Sequence, residues 1–283
     1  MAWRCYQLTY ELRSPLHIGY NKVGNLQRTR YYLPARNLWG ALTERLTRCG
    51  FASGGMPAGN YQKIGRWVQE HCAFTYFYIL ENDGLLQPRY SDEGLCYGPL
   101  TTADFERRYL DSLVTTALSP QSTSAETGSL HEVEFISPYP LDGGAVWDRT
   151  RLQGWIFVDD GACALWPQIR QALEGLSIGG ERRYGFGRLR LVGDPTEGQS
   201  CGYEVDRDRP RLRLNSGDPL PAHTPVDNVP ARGLVEPLVG RETRSSARFG
   251  GQLINAQICW VPGSVLGADA CLDIQPSGVW KAV

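Results

Sequence analysis

The sequence predicts an α+β fold of the ferredoxin-like type, because residues 3–192 follow the element order β-α-β-β-α-β. Two observations carry this prediction. Leucine or isoleucine recurs every fourth residue at 38–46 and at 165–173, which is the spacing of one face of a helix. Short apolar or alternating segments, typical of β-strands, lie before, between and after these two helices.

The first half of this order is predicted as follows. Apolar and polar residues alternate at 3–12, which indicates a strand. A loop then leads to Pro34, and a helix is predicted at 36–49, where Gly50 ends the apolar spacing. Residues 74–80 form a short apolar, aromatic run and are predicted as a buried strand. Residues 82–101 are predicted to be irregular, and 103–118 fit either a helix or an extended segment.

The second half begins with two strands, at 131–137 and 151–159. A helix at 162–176, a glycine-rich loop at 177–187 and a strand at 188–192 complete the predicted domain, residues 1–192.

Residues 193–240 are dense in proline, glycine and charge and are predicted as a linker or long arm, followed by an apolar stretch at 252–261. We therefore predict residues 193–283 to be an irregular or β-rich C-terminal extension. The alternative is a degenerate second module, because the pattern at 32–41 weakly repeats at 260–268.

Composition excludes several classes of protein. Hydrophobic residues make up 42% and charged residues 21% of the 283, as in ordinary globular proteins. No run approaches the roughly 18 apolar residues of a membrane span, and the first residues lack the layout of a secretory signal, so we expect a cytoplasmic protein without membrane contact. The eight cysteines form no Cys-x-x-Cys pair, which argues against a zinc ribbon or a thioredoxin-like site. We expect neither a metal nor a cofactor.

Basic residues are unevenly distributed, although the net charge is only −1. All but three of the 29 basic residues are arginine, the residue suited to forked phosphate contacts and base stacking; a GC-rich genome is the competing explanation. Residues 12–43 contain no aspartate or glutamate, which favours a polyanionic partner. The basic and imidazole side chains of this segment are Arg13, His17, Lys22, Arg28, Arg30 and Arg36.

The glycine-rich loop is the most specific feature of the chain. Its glycines carry no side chains, so another backbone can approach closely and the backbone N–H groups can bind phosphate oxygens. Interleaved basic and aromatic residues suit single-stranded nucleic acid. The predicted binding residues are Gly179, Gly180, Arg182, Arg183, Tyr184, Gly185, Phe186, Gly187 and Arg188. The loop is not a nucleotide P-loop, because Phe186-Gly187 stands where Lys-Ser/Thr is needed. A glycine-rich turn with solvated arginines is the alternative.

Two further features allow two interpretations each. The arginines that alternate at positions 207, 209, 211 and 213 are predicted to form either a solvated arm or a binding edge. His17, at the end of the first strand, is either a structural residue or a general base for metal-free RNA cleavage.

Four segments together resemble the RAMP superfamily of CRISPR-associated proteins. They are Ser-Pro-Leu-His-Ile-Gly at 14–19, Tyr-Leu-Pro at 32–34 with Leu-Trp-Gly-Ala-Leu at 38–42, Gly-Ser-Leu-His-Glu-Val-Glu-Phe-Ile at 128–136, and the loop at 179–187. The resemblance covers about residues 3–192 in the right order. It implies an RRM-like ferredoxin fold and guide-RNA (crRNA) binding within a type III effector complex, in antiviral defence.

The resemblance also suggests which subunit this is. Subunits of this superfamily that cut target RNA carry an aspartate in the loop after the first strand, and residues 12–43 have none. Guide-processing members use a histidine near the first helix, and His17 lies earlier. The resemblance therefore implies the non-catalytic subunit that caps the 5′ repeat-derived tag of the guide. Its partners would be the crRNA, other RAMP subunits, the large polymerase-like subunit and, indirectly, the target RNA.

In this role, Arg182, Arg183 and Arg188 would contact phosphates, and Tyr184 and Phe186 would pack on bases or on a neighbouring subunit. Lys22, Arg28, Arg30 and Arg36 would line the same groove. The alternatives are a backbone subunit repeated along the guide, a metal-free repeat-cleaving endoribonuclease that uses His17, and a scaffold whose basic loops are merely solvated.

Overall fold

A central antiparallel sheet organises the protein in the computed structural model. The structure describes residues 3–49, 61–142, 148–198, 203–205, 209–242, 252–276 and 278–283. The helices are α1 (Ala35–Arg48), α2 (Tyr61–His71), α3 (Thr102–Tyr109), α4 (Asp160–Cys163) and α5 (Trp166–Leu173), with a 3-10 turn at Arg182–Tyr184. The strands of the first part are β1 (Trp3–Leu12), β2 (Gly19–Val23), β3 (Leu26–Thr29), β4 (Cys72–Phe74), β5 (Tyr78–Glu81), β6 (Gly84–Leu85), β7 (Pro88–Ser91), β8 (Gly94–Tyr97), β9 (Leu100–Thr101), β10 (Leu110–Thr115), β11 (His131–Ile136), β12 (Arg151–Asp159), β13 (Gly175–Ser177) and β14 (Arg188–Leu191). Those of the second part are β15 (Thr196–Glu197), β16 (Tyr203–Val205), β17 (Pro210–Leu214), β18 (Thr224–Pro225), β19 (Ala231–Arg232), β20 (Val235–Glu242), β21 (Gln252–Trp260), β22 (Val265–Leu266), β23 (Ala270–Ile274) and β24 (Trp280–Ala282).

The fold is mixed α/β, with far more sheet than helix, and most strand pairs are antiparallel. The central sheet has the order β13-β14-β1-β12-β5-β6, with β4 also paired to β12 and β15 to β1. Alternation along β1 buries Leu8, Tyr10 and Leu12 completely. This face of the strand meets α5, because the Tyr10 hydroxyl donates to the carbonyl of Leu173 at 3.0 Å. The predicted strand at 3–12 and helix at 36–49 are confirmed as β1 and α1.

The strand predicted at 74–80 is interrupted. Between β4 and β5 the chain leaves β12, and Phe77 instead pairs with Leu33 through two backbone hydrogen bonds of 2.9 Å. The hydroxyl of Thr75 accepts from the backbone N–H of Trp155 at 2.9 Å. This hydrogen bond keeps the segment between β4 and β5 next to β12. The Phe77 ring fills the space above Gly154, where a Cβ would lie 2.2 Å from it. The interruption therefore brings the segment before α1 onto the central sheet.

Three other predicted segments differ from the structure. Residues 82–101, predicted to be irregular, contain β6 and the small sheet β7-β8-β9. Residues 103–118 are both helix and strand: Thr101 caps α3 by accepting from the N–H of Asp104 at 3.1 Å, and β10 follows directly. The strand at 131–136 does not enter the central sheet, because β11 belongs to a second sheet of order β10-β11-β3-β2.

The segment predicted as a linker or arm is mostly strand where it is described. The described residues from 193 onward form no helix, and β17 pairs with β23 while β20 pairs with β21. Leu212, Leu272 and Trp280 are buried in one core with Leu8. The division at residue 192 remains a prediction, although the hydrophobic core is continuous across it.

The alternating arginines are not an isolated solvated arm. Arg211 lies in β17 and pairs with Asp273 of β23 at 2.6 Å, and Arg209 donates to Gln275 at 3.1 Å. The reason is that β23 supplies both a strand partner and a carboxylate from a distant part of the chain. Arg207 lies outside the described residues.

None of the described helices is long and apolar enough to cross a membrane.

A buried polar network joins the C-terminal strands to the segment before α1. His223 is fully buried, and its Nε2–H donates to Glu236 at 2.5 Å, while the Tyr76 hydroxyl donates to its Nδ1 at 2.7 Å. Glu236 also pairs with Arg30 at 2.7 Å. Burial lowers the pKa of His223 below 6.5. Burial alone would raise the pKa of Glu236, but the hydrogen bond from His223 and the Arg30 charge lower it overall.

We expect this network to make the protein sensitive to acid. As the pH falls below about 6.5, His223 takes up a proton in the unfolded chain but stays neutral in the folded one, so the free energy of unfolding falls by up to about 1.4 kcal/mol per pH unit. Urea unfolding at pH 7 and pH 5.5 measures this fall. His223→Gln should lower stability at both pH values and reduce the slope between them. An unchanged slope in the variant would contradict the assignment.

Candidate nucleic-acid interface

Three segments that are distant in sequence meet at one end of the central sheet. The glycine-rich loop, which follows β13, lies on residues 14–18. The backbone N–H of Gly187 donates to the carbonyl of Pro15 at 2.7 Å, and that of Gly180 donates to the carbonyl of His17 at 2.9 Å. On the other side of the same segment, Leu16 and Ile136 exchange backbone hydrogen bonds of 3.0 and 2.9 Å. The glycine-rich loop, the segment after β1 and strand β11 thus form one packed unit.

His17 occupies the middle of this unit. Its side chain is only 5% exposed, and its Nδ1 lies 2.7 Å from the carbonyl oxygen of Glu134, to which it donates. The Glu134 carboxylate in turn accepts from the backbone N–H of Thr29 at 3.0 Å. Its burial and its contact with Glu134 favour the structural interpretation of His17 over that of a general base.

Two glycines allow the loop to dock so closely. A Cβ on Gly179 would lie 2.2 Å from the carbonyl oxygen of His17, and one on Gly187 would lie 1.8 Å from that of Ile178. Both have positive φ angles, of +88° and +76°. A side chain at Gly179 would push the loop away from the segment after β1, and one at Gly187 would clash with the start of the loop itself.

The tip of the loop points away from this contact. Arg182–Tyr184 form a 3-10 turn, all three side chains are exposed, and the Tyr184 ring is 70% exposed. Among the described residues, no carboxylate forms a salt bridge with Arg182, Arg183 or Arg188. The tip therefore presents positive charge and one aromatic ring to solvent.

Phe186 is not available for stacking on a base. Its ring is only 6% exposed and packs edge-on against Phe135, with the ring centroids 5.3 Å apart. These two rings and Val133 form a small apolar cluster beneath the loop. The correction follows from β11, which brings an apolar partner that is distant in sequence, so Phe186 holds the loop in place.

A groove of about 930 Å³ runs between the loop and the C-terminal half of α1. Arg48 on α1 joins the three loop arginines along it, and the carboxylates are Glu44 and Glu181. Glu44 is already paired with Arg48 at 3.2 Å. The groove therefore keeps an excess of positive charge, as a phosphate backbone requires.

The remaining predicted binding residues do not line this groove. Arg28 lies 3.6 Å from the Glu134 carboxylate, and Arg30 is paired with Glu236. Arg36 lies over the ring of Trp39, and Lys22 is exposed on the separate strand β2. Carboxylates that are distant in sequence neutralise Arg28 and Arg30, so the basic segment 12–43 is less positive in the fold than it is in the sequence.

A second cavity, which the sequence did not predict, has a volume of about 400 Å³. Five tyrosines line it, together with the charged side chains of Arg28, Arg30, Glu106 and Glu236; the tyrosines are Tyr20, Tyr31, Tyr32, Tyr90 and Tyr97. Tyr31 and Tyr32 are neighbours in the chain and the other three tyrosines come from separate segments, so no spacing in the sequence indicated that they meet. Within the described part of the chain, no group of three or more His, Cys, Asp or Glu side chains is arranged to hold a metal ion.

Comparison with known proteins relates the chain to solved structures alone. No protein-family model matches it, and neither does any curated protein. A chain in the cryo-EM structure of the Type III-B Cmr-beta bound to cognate target RNA and AMPPnP has a TM-score of 0.58 and 12% identity, over 92% of this chain and 85% of that chain. A chain in the structure of the Type III-B Cmr-beta bound to cognate target RNA has a TM-score of 0.57 and 11% identity, over 92% and 86%. This chain therefore has the fold of a chain found in Type III-B Cmr-beta structures.

The close contact at Gly187 generates a prediction about stability. Gly187→Ala should lower the free energy of unfolding by about 1–2 kcal/mol through its positive φ and by roughly 1–3 kcal/mol more through its clash with Ile178. Gly185→Ala is the matched control, because its φ of +88° is similar and no atom lies within 4 Å of its Cβ. Chemical denaturation measures both, and equal losses would contradict the close approach of Gly187 to Ile178 that closes the loop.

Proposed function

We propose that this chain is a non-catalytic guide-RNA-binding subunit of a type III CRISPR effector complex. In this proposal it caps the 5′ repeat-derived tag of the crRNA in the cytoplasm. The observation that carries the proposal is the glycine-rich loop, which is fixed by backbone hydrogen bonds to residues 14–18 while Arg182, Arg183 and Tyr184 stay exposed at its tip. A fixed basic and aromatic tip above a positive groove suits the backbone and bases of single-stranded RNA.

The strand order supports a ferredoxin-like, RRM-like domain at 1–192. If β1, β5, β12 and β14 are numbered as the four strands of that fold, the sheet has the order fourth, first, third, second, with every neighbour antiparallel. The likeness to chains of Type III-B Cmr-beta structures supports the assignment to the same kind of complex.

Exposed apolar side chains support contact with neighbouring subunits. Three apolar side chains near the start of β20 and the end of β21 are each more than half exposed: Leu234, Val235 and Ile258. Apolar side chains that are grouped at a surface mark sites of protein association. We propose that this part of the C-terminal extension meets another RAMP subunit or the large polymerase-like subunit, and that target RNA is reached only through the guide.

Removal of the two tip arginines tests the proposal. Arg182→Ala with Arg183→Ala should weaken binding of single-stranded RNA for all sequences. Each lost phosphate contact should flatten the slope of log K against log salt by about 0.7, so the double variant should lose about 1.4. Fluorescence anisotropy at several salt concentrations measures this slope.

The matched control removes two arginines that already have carboxylate partners. Arg107 pairs with Asp104 at 2.8 Å and Arg232 with Asp92 at 2.6 Å. Arg107→Ala with Arg232→Ala changes the net charge equally and should leave the salt slope unchanged. An equal change in both double variants would mean that net charge, and not the loop, governs RNA binding.

A further inference from the structure

The tyrosine-lined cavity is preformed and large enough for a small ligand. Its volume of about 400 Å³ lies within the usual range of ligand pockets. Tyr97 and Tyr31 are 5% and 8% exposed, and both rings pack against Phe105, at centroid distances of 4.2 and 5.5 Å. Because these rings are fixed from behind, the cavity offers rigid aromatic walls, which favour a flat ring as the ligand.

Polar groups at one wall are also held in place. The Tyr31 hydroxyl donates to Glu106 at 2.6 Å and accepts from Arg28 at 2.9 Å. One tyrosine thus sets a carboxylate and a guanidinium side by side, 3.9 Å apart. Both side chains remain more than one third exposed, so Glu106 keeps an acceptor oxygen and Arg28 keeps donors for a ligand.

Tyr90 and Tyr97 add hydrogen-bonding groups at the other walls. Neither hydroxyl has a hydrogen-bond partner among the described residues, and both residues line the cavity. Burial raises the pKa of Tyr90 to about 12, so its hydroxyl keeps its proton at neutral pH. The cavity therefore combines flat aromatic walls with neutral hydroxyls and two charged pairs, the partly exposed Arg28–Glu106 and the more buried Arg30–Glu236.

We propose that this cavity binds one unstacked guanine base. Guanine carries two neighbouring N–H donor groups for the Glu106 carboxylate, and its O6 and N7 accept from an arginine. Adenine and cytosine place a ring acceptor beside their amino group, which would face the second carboxylate oxygen. The guanine belongs either to a free nucleotide or to an RNA strand, and only the second case rests on the proposed function.

Nucleotide titration tests the site itself. Isothermal titration calorimetry of the full chain with GMP, AMP, CMP and UMP should show GMP binding about 10-fold tighter than the others. Glu106→Gln should reduce GMP affinity about 10-fold and leave AMP affinity unchanged. Asp104→Asn, on the same helix but outside the cavity, is the matched control and should have no effect. Equal affinity for all four nucleotides, or a Glu106→Gln variant that still prefers GMP, would overturn the proposal.

A second arm identifies the source of the guanine. If the guanine comes from RNA, an oligouridine with one central guanosine should bind more tightly than oligouridine alone. Added GMP should then abolish this extra affinity. GMP binding without this difference would assign the site to a free nucleotide. The Arg182→Ala, Arg183→Ala variant should bind GMP normally. If that variant also keeps full RNA affinity, the proposed function fails while the guanine site stands.

Discussion

The contact on which the candidate site depends is the docking of one backbone on another, between the glycine-rich loop and residues 14–18. It consists of main-chain hydrogen bonds from Gly180 and Gly187 and leaves no room for a Cβ at Gly179, while Gly187 also lies too close to Ile178 of the loop to carry one. Main-chain contacts of this kind fix the loop without using its side chains. The arginines and the tyrosine at the tip are therefore left free to face solvent, while Phe186 anchors the loop from below.

The same segment links the loop to the rest of the molecule. Leu16 pairs with β11, and the chain continues through β2 and β3 to Arg30, whose partner Glu236 belongs to the C-terminal strands. Arg30 thus serves the packing of the C-terminal part and does not add free charge to the surface. The tyrosine-lined cavity lies where these parts and α3 meet, so its walls exist only when all three are assembled.

Local patterns in the sequence predicted the elements that depend on local physics. A leucine at every fourth residue predicted α1, the alternation of apolar and polar residues at 3–12 predicted β1, and the glycines at 179–187 predicted the loop. The sequence did not predict the interruption at 75–77, which depends on pairing with Leu33, or the burial of Phe186, which depends on Phe135. It also overestimated the positive charge at Arg28 and Arg30, because their carboxylate partners come from distant segments. Long-range contacts decide each of these cases.

The central claim is that the exposed loop tip serves to hold one end of a guide RNA. The most direct measurement is to co-express the chain with its genomic neighbours, purify the assembly through a tag on this chain, and sequence the 5′ ends of the RNA that co-purifies. The account predicts uniform 5′ ends that carry a short repeat-derived tag, with one copy of this chain in each complex. RNA without a defined end and several copies per complex would indicate a backbone subunit and contradict the capping role. Absence of both RNA and partner proteins would contradict the account as a whole.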